Sequence, residues 1–262
     1  MSAIFLEQAI VHYEVMGRGR PVLFLHGWVG SWRYWIPVMQ VSSSTFRTYA
    51  IDLWGFGDSA REVSRYSLEQ QLNLVDSFLE EMGIARLAVV GHGLGAVLAI
   101  LYARRHPELV DRVMAAGCPL STESINPRLR QAAPQELAEW LLERDPLADT
   151  VRLEVPKMDP KAIQASVGDL TETLLTGLLK DLKIACLLVH GSDDPAISAP
   201  RPDQLTDLPY MVHTVLFEQS GHFPMISEES KFSRLLGDFL ALDSGDSPRE
   251  LQLKEEWKRR VR

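Results

Sequence analysis

The run Val89-Val90-Gly91-His92-Gly93-Leu94-Gly95-Ala96 passes from a β-branched apolar stretch into an apolar helical one. Its glycine spacing has the shape of G-x-S-x-G, a sharp strand-to-helix turn that presents one side chain above a sheet. At the presenting position, residue 93, that side chain is a hydrogen. Glycine has no oxygen with which to attack a carbonyl, so no acyl intermediate can form there. Ser31, Ser59, Cys118 and Ser220 sit in other loops, but none occupies a strand-to-helix turn; Cys118, just past a predicted strand, is the nearest substitute. The same glycines fit G-x-G-x-x-A, a dinucleotide-binding turn. That fingerprint needs an acid at the end of the next strand, whereas Glu108 and Asp111 precede it and its far end reads Ala116-Gly117-Cys118. The motif also follows several earlier strands, so the nucleotide reading stays a minor alternative.

The elements that must position this turn alternate between strand-like and helical patterns, as in a mostly parallel sheet covered by helices on both faces. Strands are expected at residues 4–6, 10–15, 22–25, 48–51, 87–90, 112–116, 186–190 and 213–217. A helix is expected over 67–82, where Ser67 and Gln70 suggest a capping box, Leu68, Leu72, Val75 and Leu79 share one face, and Gly83 stops the helix. Further helices are expected over 94–105 and 228–242. Residues 119–182 break the alternation with helical patterns and with Pro127, Pro134, Pro146, Pro156 and Pro160, which marks a helical cap insertion. Leu137, Trp140, Leu141 and Leu142, and then Leu170, Leu174, Leu175, Leu178 and Leu179, could give it an apolar underside or simply glue it to the core. The expected division is a core of 1–118 and 183–242, a cap of 119–182 and a charged tail of 243–262.

Composition narrows the partners. In 262 residues, 46% apolar, there is ample material for one large α/β core. With 27 basic against 35 acidic side chains the net charge is −8, which argues against nucleic acid or an anionic membrane as partner and favours a small, mostly apolar molecule. Cys118 and Cys186 are the only cysteines, offering no disulfide framework and no zinc-like spacing; neither metal nor cofactor is expected. The first ten residues lack the basic start and apolar stretch of a secretory signal, and the longest nearly uncharged run, 87–103, is short for a membrane span and broken by glycines. A cytoplasmic protein is the expectation; oligomeric state is left open.

Four motifs in chain order resemble those of the α/β-hydrolase family, over roughly residues 8–242. Leu25-His26-Gly27-Trp28 is similar to the family's HG loop; Asp52-Leu53-Trp54-Gly55-Phe56-Gly57-Asp58-Ser59 is similar to its D-x-x-G-x-G-x-S loop; the turn at 91–95 is similar to its nucleophile elbow. His190-Gly191-Ser192-Asp193-Asp194-Pro195 and Ser220-Gly221-His222-Phe223-Pro224 resemble the loops that carry the triad acid and base. The resemblance implies an eight-stranded α/β-hydrolase fold with a helical cap and an oxyanion hole from the backbone N–H groups of Trp28 and Leu94. It also implies a proton-handling pair of His222 with Asp194, Asp193 being the weaker choice of acid. His26, Gly27, His92, Trp32 and Phe223 would line the pocket. Gly93 departs from the pattern at the nucleophile itself.

Three readings follow. The chain could be a non-hydrolytic member that binds a small ligand, a pseudoenzyme with a degenerate triad. It could be an enzyme using His222 and Asp194 as a general base without serine. Or it could be an esterase-like hydrolase inactivated by Ser-to-Gly replacement at position 93, in which case a serine there restores activity.

Overall fold

The computed structural model describes residues 2–142 and 148–251. Pro146 and the charged run of residues 252–262 lie outside the described residues. Eight strands form one sheet: β1 (Ser2–Leu6), β2 (Ala9–Gly17), β3 (Arg20–Leu25), β4 (Phe46–Ile51), β5 (Leu87–His92), β6 (Val110–Ala116), β7 (Ala185–Gly191) and β8 (Val212–Phe217). Each covers its expected segment and extends past at least one end of it. The order is β1-β2-β4-β3-β5-β6-β7-β8, with the β1–β2 and β2–β4 pairings antiparallel and the others parallel. β5 and β7 are buried throughout, which is why they read as unbroken apolar runs rather than alternating ones.

Helices α1 (Ile36–Ser42), α2 (Leu68–Glu81) and α3 (Leu94–Arg105) lie between strands of the first half; α4 (Arg128–Gln131), α5 (Pro134–Leu142), α6 (Asp149–Arg152), α7 (Pro160–Gly168) and α8 (Glu172–Gly177) lie between β6 and β7. α9 (Pro202–Thr206), α10 (Pro224–Ser227) and α11 (Glu229–Ala241) follow. In α2 the expected face of Leu68, Leu72, Val75 and Leu79 is buried, each side chain contributing on the order of 1.5–3 kcal/mol. Only half of the capping box forms: Ser67 Oγ accepts from the Gln70 N–H at 3.3 Å. Gly83, at φ +64°, turns the chain out of the helix. α3 is buried on nearly every side and packs along β5 and β6, so the turn at its start is clamped between sheet and helix. No helix among the described residues is long and apolar enough to cross a membrane.

Parallel strands point their C-terminal ends the same way. The loops after β3, β4, β5, β6 and β7 therefore gather at one end of the sheet, where ligands bind in open α/β sheets.

Candidate active site

Gly93 stands at the junction of β5 and α3 with φ +51° and ψ −112°, a backbone conformation that L side chains rarely adopt and glycine tolerates. Its N–H donates to Ala116 O at 2.9 Å on β6, and the Gly95 N–H donates to His26 O at 3.0 Å, so the turn is tied to both neighbouring loops. Gly91 and Gly95 pack so closely that a Cβ on Gly91 would overlap Gly95 O, and one on Gly95 would overlap Leu25 O.

His222 and Asp194 are together. The Nδ1–H of His222 donates to both carboxylate oxygens of Asp194, at 3.0 Å and 2.9 Å. A carboxylate only accepts, so the proton of the neutral ring is on Nδ1 and Nε2 carries the lone pair, the tautomer a general base needs. That Nε2 is buried and has no hydrogen-bond partner among the described residues. Burial pushes the Asp194 carboxyl up, but the His222 imidazole and the backbone N–H groups of Ile197 and Ala196 outweigh it and hold the acid below the usual carboxylate range. Asp193, the other acid considered, is exposed and accepts from Ser192 Oγ instead.

His92 joins the two halves of the site. Its Nε2–H donates to the His222 carbonyl at 2.8 Å, and its Nδ1 accepts from the Tyr34 hydroxyl at 3.0 Å. The Tyr34 oxygen in turn accepts the Gly27 N–H at 2.6 Å. Each donor in this chain is fixed by the next, from the HG loop through Tyr34 and the elbow to the loop of the base. The rings of His92 and His222 lie 4.6 Å apart, and Phe223 packs on both. A Cβ on Gly27 would lie 2.8 Å from His92 Nδ1, so only glycine admits the imidazole.

The remaining expected residues divide. Neither the Trp28 nor the Leu94 backbone N–H donates a hydrogen bond among the described residues, and Leu94 opens α3, whose N-terminus favours negative charge. His26 is a brace: its Nδ1–H donates to Gly27 O and its Nε2 accepts from the Leu53 N–H. Trp32 packs its ring on His12, with its backbone N–H donating to Asp52 Oδ1. A cleft of about 410 Å³ opens between Leu141, Leu142 and Ala148 on one side and His222, Phe223 and Ile226 on the other. Of the pocket residues named from the sequence, His26, Gly27, His92 and Trp32 do not line it; of the whole candidate site, His222 and Phe223 do. A smaller groove of about 200 Å³ at the opposite end of the strands holds Arg86 and Arg112, both bound to Asp111 at 2.6 Å.

The substitute nucleophiles have structural work. Ser59 Oγ donates to Asp52 O and accepts the His12 N–H; Ser31 caps the turn at Trp32–Trp35; Ser220 bonds to Ser227. Cys118 is fully buried, and burial pushes its thiol well up, away from thiolate. His12, Asp52 and Asp58 bring possible ligand atoms within 4.8 Å of one another, but Asp52 already accepts from His12 and from the Trp32 and Asp58 backbones, while Lys157 pairs with Asp58.

Burial holds the His26, His92 and His190 imidazoles below their usual range, so all three stay neutral when folded, His92 to the lowest pH relative to its ordinary value. Above about pH 6.5 both folded and unfolded rings are neutral; below it only the unfolded chain gains protons, so stability falls as pH falls toward the folded values. The contributions of the three rings are fully present above about pH 6.5 and are lost together as pH falls below it. Urea midpoints measured at pH 7.5 and 5.5 are expected to fall accordingly, and an unchanged midpoint would contradict the assignment of three neutral buried rings.

Comparison with known proteins agrees with the fold. The family model for the alpha/beta hydrolase fold matches residues 20–161. A 2-hydroxymuconate semialdehyde hydrolase from Pseudomonas sp. (strain CF600) is 27% identical over 253 residues, covering 86% of this chain and 88% of that protein. Among solved structures, a meta-cleavage product hydrolase from Pseudomonas fluorescens, a serine-to-alanine mutant complexed with acetates, superposes with a TM-score of 0.78 at 22% identity, covering 92% of this chain and 97% of that one. A serine-to-glycine mutant of the N-acyl homoserine lactonase AidH, complexed with N-hexanoyl homoserine lactone, gives a TM-score of 0.77 at 21% identity, covering 91% and 96%.

Proposed function

This chain belongs to the α/β hydrolase family, and within it we propose a non-hydrolytic member that binds a small, mostly apolar molecule beside His222 without forming an acyl-enzyme. The observation that carries this reading is Gly93: the strand-to-helix turn, tied through His92 to the loop that carries His222 and its partner Asp194, offers no attacking atom. The insertion of residues 119–182 serves as the cap, and Leu141 and Leu142 supply the apolar wall opposite His222 and Phe223. The lactonase relative in which glycine replaces a serine holds an acyl lactone in its crystal, which supports retention of ligand by a glycine-bearing member.

A second reading rests on His222 Nε2, whose lone pair is buried with no partner among the described residues. Oriented by Asp194, it can take a proton directly from a bound ligand or water. Both readings are tested by thermal shift and product analysis with N-hexanoyl homoserine lactone and 2-hydroxymuconate semialdehyde as probes. A saturable rise in melting temperature without product supports the binding reading. Product formation abolished by both His222→Ala and Asp194→Asn selects the second, and no shift with either probe counts against a ligand of this class.

A further inference from the structure

We infer that the indole of Trp28 is a fitted plug over residue 93, so that residue 28, together with Ser166 of the insertion, decides what reaches the two free backbone N–H groups. This rests on the non-hydrolytic reading and gives it a physical cause beyond the missing oxygen. A Cβ built on Gly93 lies 3.1 Å from Trp28 Cε3 and 3.2 Å from Cζ3, tighter than ordinary van der Waals contact, and 3.5 Å from Gly27 Cα. A serine would also have to place an Oγ one C–O bond beyond a Cβ that the indole already crowds.

The ring is poorly able to give way. Trp28 is fully buried, and its Nε1–H donates to Ser166 Oγ at 3.1 Å on α7. The Ser166 hydroxyl spends its own proton on Ala162 O at 2.7 Å, which leaves the Oγ lone pairs for the indole. Two residues on, the Gly30 N–H bonds to Met158 Sδ at 3.0 Å, so the HG loop is anchored to the insertion at a second point. The cleft at His222 and Phe223 is not lined by Trp28, Gly93 or Leu94. A ligand in that cleft meets the base while the indole seals the N–H groups from it. Trp28 is therefore a specificity-determining residue: its backbone offers the oxyanion donor and its side chain closes the way to it.

The test is a double-mutant cycle between positions 93 and 28, read in melting temperature and in p-nitrophenyl butyrate turnover. The backbone strain of a serine at φ +51° is the same in both backgrounds and cancels, leaving the contact with the indole. Gly93→Ser is expected to lower the melting temperature by about 5 °C or more in the parent and by less than half of that in the Trp28→Leu background. The Gly93→Ser/Trp28→Leu protein is expected to turn the ester over at least ~100-fold faster than Gly93→Ser alone, a gap of about 2.7 kcal/mol in barrier. Equal melting shifts in the two backgrounds, or a double variant no faster than the single one, would overturn the plug. If Trp28→Leu does not fold, Ser166→Ala frees the indole without emptying the core. Added to Gly93→Ser it should raise turnover ~10-fold, and no rise overturns the inference. Failure of the underlying reading shows separately, as His222-dependent turnover by the parent.

Discussion

Hydrolysis of p-nitrophenyl butyrate by the unmodified chain is expected to run about a millionfold below that of a serine-bearing elbow, a deficit of roughly 8 kcal/mol in barrier. His222 and Asp194 do not compensate, because a general base accelerates the attack of a nucleophile and has none at residue 93. The N–H groups of Trp28 and Leu94 have no partner among the described residues, but without an attacking atom at residue 93 they have no tetrahedral oxyanion to stabilise. Initial rates should therefore match solution background and should be the same in His222→Ala. A parent rate well above background that drops in His222→Ala would show that another group attacks.

Gly95→Ala is expected to lower stability by more than about 4 kcal/mol and to leave little folded protein. Its Cβ would overlap Leu25 O and lie 2.7 Å from Leu25 Cβ, and these atoms belong to β3 in the middle of the sheet. The strand cannot retreat without breaking its pairing with β4 and β5, and α3 cannot lift without losing the bond from Gly95 N–H to His26 O. Gly237→Ala in α11 is the matched control: nothing lies within 4 Å of its Cβ, so alanine should gain about 0.4–1 kcal/mol there. Urea midpoints distinguish the two, and a Gly95→Ala protein of parental stability would mean the elbow packs differently.

Much of this was legible in the sequence where signals are local. The eight strands announce themselves as β-branched runs, and α2 through Ser67, its apolar face and Gly83. The strand order was not legible, because placing β3 between β4 and β5 depends on crossovers that no local pattern encodes. α1 was missed because Trp35 caps it without a side-chain bond and aromatic residues precede it. Asp194 and His222 could be reached through the resemblance of their loops, with Gly191 and Gly221, to those of the α/β-hydrolase family. The bond from Tyr34 to His92 could not: it spans 58 positions and exists only because the HG loop folds back on the elbow. For the same reason His26 and Trp32 read as pocket residues from their neighbours in the chain, while the fold uses one to brace Leu53 and the other to cover His12. The contact of Trp28 with Gly93 needs the insertion in place, since Ser166 holds the ring 138 positions away in sequence.

Intact-protein mass after incubation with an alkyl fluorophosphonate tests the missing attacking atom most directly, because the reagent marks an activated nucleophile whatever the natural ligand. An unchanged mass for the parent, beside a stoichiometric phosphonyl adduct on residue 93 of Gly93→Ser/Trp28→Leu, is the result expected. A stoichiometric adduct on the parent chain, lost in His222→Ala, would contradict it.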